Sequence, residues 1–383
     1  MAGLKVVMFC NYLNHHQVAL ADELYAALDA GFAFVVTCPI DADQLKGGID
    51  YRNRSYCIDA TQNASNYQKA FRLARESEVC IFGACSQSFA KERARHFPEG
   101  LSFEVGERWL KRGWKNIFSP VLLRWWWNYM RYYRKANFYK LCSSAFTASD
   151  DNRLFAYSGR SFKWGYFVTV PQYDFETMYA QKPEVPALCF CSRFIGWKHP
   201  ELPVMLAQRL KSRGYRFSLD LYGGGNRWPE VKRLVEALQV MDVVTLHGEV
   251  SNAEIKEAIG HHHILLLTSD KREGWGVIAN EAMIYGAVLV TSDQVGSAPY
   301  LVKNGETGMC FESGNLDSLF AKVSELLDAP ERMKEVAQKG YSEMLRLWSP
   351  SNAVHSLLQL IGDLSNGRES SIVEGPCSEA LPL

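Results

Sequence analysis

The chain has no excess of charge of either sign: 42 lysines and arginines stand against 42 aspartates and glutamates. That balance excludes the global basic field that recruits nucleic acid, so no nucleic-acid partner is expected, and there is no acidic tail. A long apolar run at the start is also missing. Met1 to Cys10 holds one lysine and a short apolar segment that leads directly into folded-looking sequence. It is too short for a signal peptide or a membrane span, and a cytoplasmic protein is expected. The ten cysteines contain no Cys-x-x-Cys, the closest pairs being Cys80/Cys85 and Cys189/Cys191. Such scatter supports neither a zinc site nor a disulfide framework and points to reduced core thiols. Gly223-Gly224-Gly225 is not Gly-x-Gly-x-x-Gly, and no acidic residue follows where a nicotinamide ribose would need one.

What is present is a repeated alternation of buried strand and amphipathic helix over 383 residues, long enough for two cores. Lys5–Cys10, Phe32–Cys38 and Val79–Ala84 read as parallel strands of a first Rossmann-like unit, with helices from Val18 and over Tyr67–Arg75. A second series follows at Ala187–Ser192, Ser218–Tyr222, Val243–His247, Ile264–Leu267 and Gly308–Phe311. The polar, proline-bearing segment Thr169–Pro186 separates them. The spacing predicts domains at 1–170 and 171–348, a last helix at 349–366 after the break at Ser349-Pro350, and a polar, flexible tail at 367–383.

The most informative stretch is Arg272–Pro299. It reads as glycine turn, helix and strand behind the apolar run Ile264–Leu267. Glu273 sits in the turn and Glu281 eight residues on, about two helical turns away and on roughly the same side. Free amides of Gly274, Trp275 and Gly276 at a helix start suit anions and hydroxyl oxygens. This combination suits a polyhydroxy, phosphorylated ligand. Arg193 and Lys198, at the carboxyl end of the Ala187–Ser192 strand, suit two phosphates, a forked guanidinium and a mobile ammonium dividing the task.

Glu273 and Glu281 reproduce the Glu-x7-Glu signature of retaining glycosyltransferases with the GT-B fold, and the chain resembles the family 4-like group that includes lipopolysaccharide and capsule enzymes. The resemblance implies two Rossmann-like domains facing a cleft, with a C-terminal helix crossing back to the first. It implies that Arg193 and Lys198 bind the donor diphosphate and stabilise its departure, and that Glu273 touches sugar hydroxyls while Glu281 holds the ribose. The loop Gly274, Trp275, Gly276 and Val277 would complete the donor site, with the backbone around Gly248 lining the base. The reaction implied is retaining, metal-independent hexosyl transfer to a polysaccharide or lipid-linked saccharide. A nucleotide sugar is the co-substrate, and no cofactor or metal is required. A GT-B sugar-nucleotide epimerase and a non-catalytic sugar-nucleotide-binding subunit are the other readings.

In the first half, Asn14-His15-His16 follows the first strand, where the family carries a glycine-rich loop. His16 there could orient an acceptor hydroxyl, since imidazole titrates near neutrality; helix capping by Asn14 is the alternative. Glu107-Arg108, with Lys111 and Gly113, resembles a Ser-Glu-Arg-x-x-Lys-x-Gly segment of related polysaccharide transferases. It reads as an acceptor-binding pair or as a structural ion pair. Pro120–Lys135, written as a helix, puts Arg124, Asn128, Arg131 and Lys135 opposite Leu122, Trp126, Tyr129 and Tyr133. That pattern suits peripheral contact with a membrane interface or a surface helix on its own core. His261-His262-His263, read on a strand, alternates faces and cannot converge on a metal. Asp41-Ala42-Asp43 reads as a turn.

Overall fold

A computed structural model of the chain describes residues 4–39, 51–84, 87–171 and 173–383. Two compact units account for it, one of Met1–Thr169 with Leu347–Leu383 and one of Val170–Arg346.

Along the first stretch the order is β1 (Val6–Cys10), α1 (Val18–Leu28), β2 (Phe32–Val36), β3 (Cys57–Asp59), α2 (Ala64–Glu76), β4 (Val79–Phe82) and α3 (Gln87–His96). Then come β5 (Leu101–Gly106), α4 (Pro120–Arg131), β6 (Phe138–Cys142), α5 (Thr147–Arg153) and β7 (Ser161–Lys163). The second unit runs α6 (Phe175–Tyr179), β8 (Ala187–Cys191), α7 (Glu201–Ser212), β9 (Ser218–Tyr222), α8 (Trp228–Ala237), β10 (Val244–Gly248) and α9 (Asn252–His261). It continues with β11 (Ile264–Leu267), α10 (Ile278–Ile284), β12 (Val288–Ser292), α11 (Ala298–Leu301), β13 (Met309–Phe311), α12 (Leu316–Leu327) and α13 (Pro330–Arg346). The final helix, α14 (Pro350–Ser365), belongs to the first unit.

The first sheet has the order β3-β2-β1-β4-β5-β6-β7 and the second β10-β9-β8-β11-β12-β13, with parallel pairing throughout. Parallel strands are covered on both faces by their crossover helices, which is why β1, β4, β8, β11 and β12 are buried along their whole lengths. In each sheet the strand order reverses once, between β1 and β4 and between β8 and β11. Ligands of open α/β sheets bind outside the carboxyl ends of the strands at such a reversal.

Two strands not foreseen are β5 and β6. Each carries a charge in its middle, and the register sets the two side by side: Glu104 opposite Lys140. Lys140 is fully buried and donates to Glu104 Oε1 at 3.1 Å; Trp125 and Tyr157 donate to the same carboxylate at 2.6 and 2.7 Å. Burying the ions is tolerated because each finds hydrogen-bonded company.

Pro350 starts α14 rather than merely ending what precedes it. It occupies the first helical turn behind Ser349, whose hydroxyl accepts the Asn352 amide at 3.3 Å. The helix lies against α1 within the first unit. Residues 367–383 are not the flexible tail their polarity predicts. They run along the edge strand β7: the Lys163 amide donates to Ser378, and those of Cys377 and Ala380 donate back to Lys163 and Ser161. Cys377 and Ala380 are buried there. An open sheet edge presents unpaired backbone groups that a passing segment can satisfy whatever its composition.

Candidate functional site

In the second unit the loops that leave β8 and β11 meet at the reversal of strand order. Behind β8, Phe194 turns into the core against Phe190 and Trp228, and its amide donates to Gly224 at 2.7 Å. The fit depends on Gly223: it has φ +124°, and a Cβ there would stand 2.0 Å from the Ser192 carbonyl oxygen. Its amide donates to Gly248 at 2.7 Å, so the carboxyl ends of β8, β9 and β10 are tied together. Arg193, with its neighbour Phe194 anchored, is exposed, and its guanidinium has no hydrogen bond or ion pair among the described residues.

Lys198 closes a 3-10 turn, Gly196–Lys198, and His199 behind it takes the left-handed conformation at φ 51°, ψ 53°. That uncommon backbone is held from β11. The Thr268 hydroxyl donates to the carbonyls of Lys198 and His199 at 2.7 and 3.2 Å, and the Asp270 amide to that of Trp197 at 2.9 Å. The His199 imidazole is 2.8 Å from Glu201; this hydrogen bond, with the Glu201 and Asp270 charges, raises its pKa against the opposing effect of burial. Thus fixed, the Lys198 ammonium donates to Glu273 Oε2, which also takes the Ser269 hydroxyl at 2.9 Å. The family resemblance implies separate roles, Lys198 on diphosphate and Glu273 on sugar. The fold makes them a pair, with Ser269 and Thr268 as supports that the reading from sequence missed.

Glu273 and Glu281 do not share a helix. Gly276 takes φ +82°, and α10 begins only at Ile278 with Val277 as its cap. The first-turn amides of Ala279 and Asn280 are already spent on Gly276 and Val277 carbonyls at 2.8 and 2.9 Å. The helix start expected at 274–276 therefore lies one turn later. Trp275 is buried, its indole donating to Asn280 Oδ1 at 2.7 Å, so its side chain anchors the loop and leaves only backbone for a ligand. Amides of Gly296 and Ser297, both at 3.3 Å, brace the carbonyls of Glu273 and Trp275. Glu281 is buried in α10 with Lys256 at 3.9 Å. Burial raises its carboxyl pKa, and Lys256 only partly offsets this.

In the first unit Asn14 organises the loop after β1, its carbonyl accepting the Gln17 and Val18 amides at 3.0 and 2.9 Å at the entry to α1. The Asn14 side chain accepts the His16 amide at 2.9 Å, while Gln17 caps α1 with no side-chain bond. His15 and His16 rings lie 3.6 Å apart, and His16 meets Tyr166 edge-on at 6.3 Å. Tyr166 donates to Glu107 at 3.2 Å; burial, and then the Glu107 charge, push its hydroxyl pKa well up. The structure thus joins His16 and Glu107 through Tyr166. Glu107 and Arg108 do not pair with each other. Glu107 holds Lys111, and Arg108 donates to the buried Asp150 at 3.3 and 3.4 Å, so each belongs to its own ion pair.

The helix at 120–135 ends at Arg131, followed by a 3-10 turn at Tyr133–Lys135. Its faces differ from the expected ones: Asn128 is buried with Leu122, Trp125, Tyr129 and Tyr133, and its amide meets Gln87. The outer face carries Arg124, Trp127 and Arg131, and the preceding turn adds Trp114 and Phe118. Exposures of 63% for Trp127, 60% for Trp114 and 79% for Phe118 make this a large uncovered aromatic surface.

His261 ends α9 and His263 precedes β11, so the triplet is a helix-to-strand junction rather than a strand. His262 lies 2.9 Å from Asp220, and His263 Nδ1 accepts the Ala187 amide at 3.2 Å. Burial, reinforced by Lys182, brings the His263 pKa down to about 4. Among the described residues no group of three or more histidines, cysteines, aspartates or glutamates is arranged to hold a metal. Asp41-Ala42-Asp43 lies outside the described residues.

Residues 177–343 match the family model of the glycosyl transferases group 1. The chain is 27% identical over 153 residues to the alpha-D-kanosaminyltransferase of Streptomyces kanamyceticus, 40% of this chain and 39% of that one. It is 22% identical over 191 residues to the GDP-mannose-dependent alpha-(1-6)-phosphatidylinositol monomannoside mannosyltransferase of Mycolicibacterium smegmatis, 48% and 50% of the two chains. The alignments thus span two fifths to half of these relatives' length. Among solved structures, Anabaena HepE in complex with UDP superposes with a TM-score of 0.69 at 13% identity, over 95% of this chain and all of that one. Sucrose-phosphate synthase from Thermosynechococcus elongatus does so at 0.66 and 15%, with coverages of 95% and 100%. The architecture is that of the GT-B glycosyltransferases.

Proposed function

We propose, from the premise that residues 177–343 form a glycosyl transferases group 1 domain, that this protein is a retaining, metal-independent glycosyltransferase. It moves a sugar from a nucleotide sugar to a saccharide or lipid-linked saccharide of a growing surface polysaccharide. The observation that carries the reading is the Lys198–Glu273 pair, with an exposed Arg193 that has no hydrogen bond or ion pair among the described residues, on the loops that leave the carboxyl ends of β8 and β11. Two cations there neutralise a diphosphate, and a carboxylate beside them accepts from sugar hydroxyls.

In this reading Arg193 and Lys198 stabilise charge developing on the leaving diphosphate. Glu281 accepts from the ribose, and backbone at Gly248 and at Gly274–Val277 faces base and phosphate. The acceptor oxygen bonds to the anomeric carbon from the leaving-group side, the carbon–oxygen bond to phosphate breaks, and the departing phosphate takes the acceptor proton. His16, steadied beside Tyr166 and Glu107, orients the acceptor hydroxyl. The uncovered aromatic and basic surface at Trp114, Phe118 and Trp127 fits a membrane interface that carries a lipid-linked acceptor. No helix among the described residues is long and apolar enough to cross a membrane.

HepE binds UDP and UDP-glucose, and the mycobacterial relative is GDP-mannose-dependent, so UDP- and GDP-sugars come first in a thermal-shift screen, with and without EDTA. One nucleotide sugar is expected to raise the melting temperature whether or not chelator is present, and Arg193→Ala to lose that rise. No shift with any nucleotide sugar would overturn the reading.

A further inference from the structure

The two oxygens of Glu273 keep different company. Oε2 takes the Lys198 ammonium and the Ser269 hydroxyl, whereas Oε1 has no hydrogen-bond partner among the described residues. Ser269 is 1% exposed and is the second residue past the end of β11, four residues before Glu273. Its neighbour Thr268 holds the backbone of Lys198 and His199, so the two hydroxyls that leave β11 secure both members of the ion pair.

Lys198 is shared. On the nucleotide-sugar reading above, an arriving diphosphate brings at least two negative charges to Arg193 and Lys198. It competes with a single carboxylate for the ammonium. A Glu273 held by Lys198 alone would lose its partner just when it must face the sugar. We propose that Ser269 is the positioning residue that keeps Glu273 Oε2 anchored while Lys198 turns to the diphosphate, so that Oε1 is the atom offered to a sugar hydroxyl. Ser269 then governs recognition of the sugar and not of the diphosphate. The division is physical: among the described residues its hydroxyl bonds only to the group that reads hydroxyls, and the pair's cation has its own support in Thr268.

The test compares calorimetric affinities for UDP-glucose against UDP, or GDP-mannose against GDP, using the pair that the wild type binds. Ser269→Ala is expected to weaken the nucleotide sugar about tenfold, the scale of one hydrogen bond to a charged group, while changing the nucleoside diphosphate less than about twofold. Ser269→Thr keeps the hydroxyl and restores the difference. Ser269→Cys, a weaker donor of similar size, gives the same comparison if the alanine variant does not fold. In a Glu273→Ala background, Ser269→Ala should add less than about twofold, because it has nothing left to position. Equal losses for both ligands, no loss for the sugar, or an additive loss in the double variant each overturn the assignment. A wild type that binds the diphosphates but neither nucleotide sugar overturns it too. A wild type that binds no member of either pair refutes the nucleotide-sugar reading itself.

Discussion

Replacing Glu281 by glutamine should move stability and nucleotide affinity in opposite directions. Glu281 is 8% exposed, and its nearest cation is Lys256, 3.9 Å away on a side chain 32% exposed. At that separation two unit charges attract by about 1 kcal/mol in water and about 4 kcal/mol at an effective dielectric of 20; a third-exposed lysine falls toward the lower figure. Burial prevails, since the carboxyl is raised despite Lys256. A carboxyl raised in the folded state holds its proton to higher pH than in the unfolded chain. The wild type therefore loses stability as pH climbs from the ordinary carboxylate range through the folded pKa. Glutamine does not ionise. The apo variant should melt higher than the wild type at pH 7.5, by about 2–4 °C for each ~1 kcal/mol relieved, with the gap widening as pH rises and closing in acid. If Glu281 accepts from the ribose, the amide weakens those charge-assisted bonds. The nucleotide should then bind about 10- to 150-fold less tightly, a cost of ~1.5–3 kcal/mol. Scanning fluorimetry across pH and calorimetry with UDP or GDP read the two effects. A variant that melts lower would make the Lys256 contact a net structural support, and an unchanged dissociation constant would remove Glu281 from the ribose.

Arg193→Ala should abolish the ligand-induced thermal shift while leaving the apo melting temperature within about 1 °C, since an exposed arginine with no partner among the described residues contributes little to folding; a lower apo melting temperature would mark it as structural. Arg93 is 0% exposed, and its guanidinium donates to Ser102 and to the carbonyls of Ala74, Ser77, Glu78 and Leu101. Arg93→Ala should destabilise the protein by about 3–5 kcal/mol in urea titration, and a loss below ~1 kcal/mol would show those carbonyls satisfied some other way. The triple change of Trp114, Phe118 and Trp127 to serine should release the protein from vesicles of anionic phospholipid in co-sedimentation and leave turnover on a soluble acceptor intact. Retention on those vesicles would exclude this face as the membrane contact.

The strands of the second unit were largely legible because a parallel strand buried on both faces has almost no polar residues to interrupt it, as in Cys189–Cys191 and Ile264–Leu267. The first unit was harder. Glu104 and Lys140 interrupt β5 and β6 in sequence and satisfy each other in space, a pairing invisible until both strands have a register. Asn128 shares a helical phase with Arg124 and Arg131, and only packing decides that the covered face extends as far as its amide, which is buried against Gln87. Arg108 looked like half of a Glu-Arg site, yet its partner is Asp150, 42 residues away.

By itself the sequence offered the candidates for this site: Arg193 and Lys198 as cations at a strand end, and Glu273 and Glu281 through a spacing that resembles a known signature, all local properties. Tertiary structure alone decided who meets whom. The reversal of strand order brings the loop after β8 to the loop after β11, so Lys198 reaches a carboxylate 75 residues away, and Ser269, ordinary in sequence, becomes its second anchor. Short-range periodicity specifies an element and its faces, whereas partnership depends on sheet order and register, which long-range packing sets.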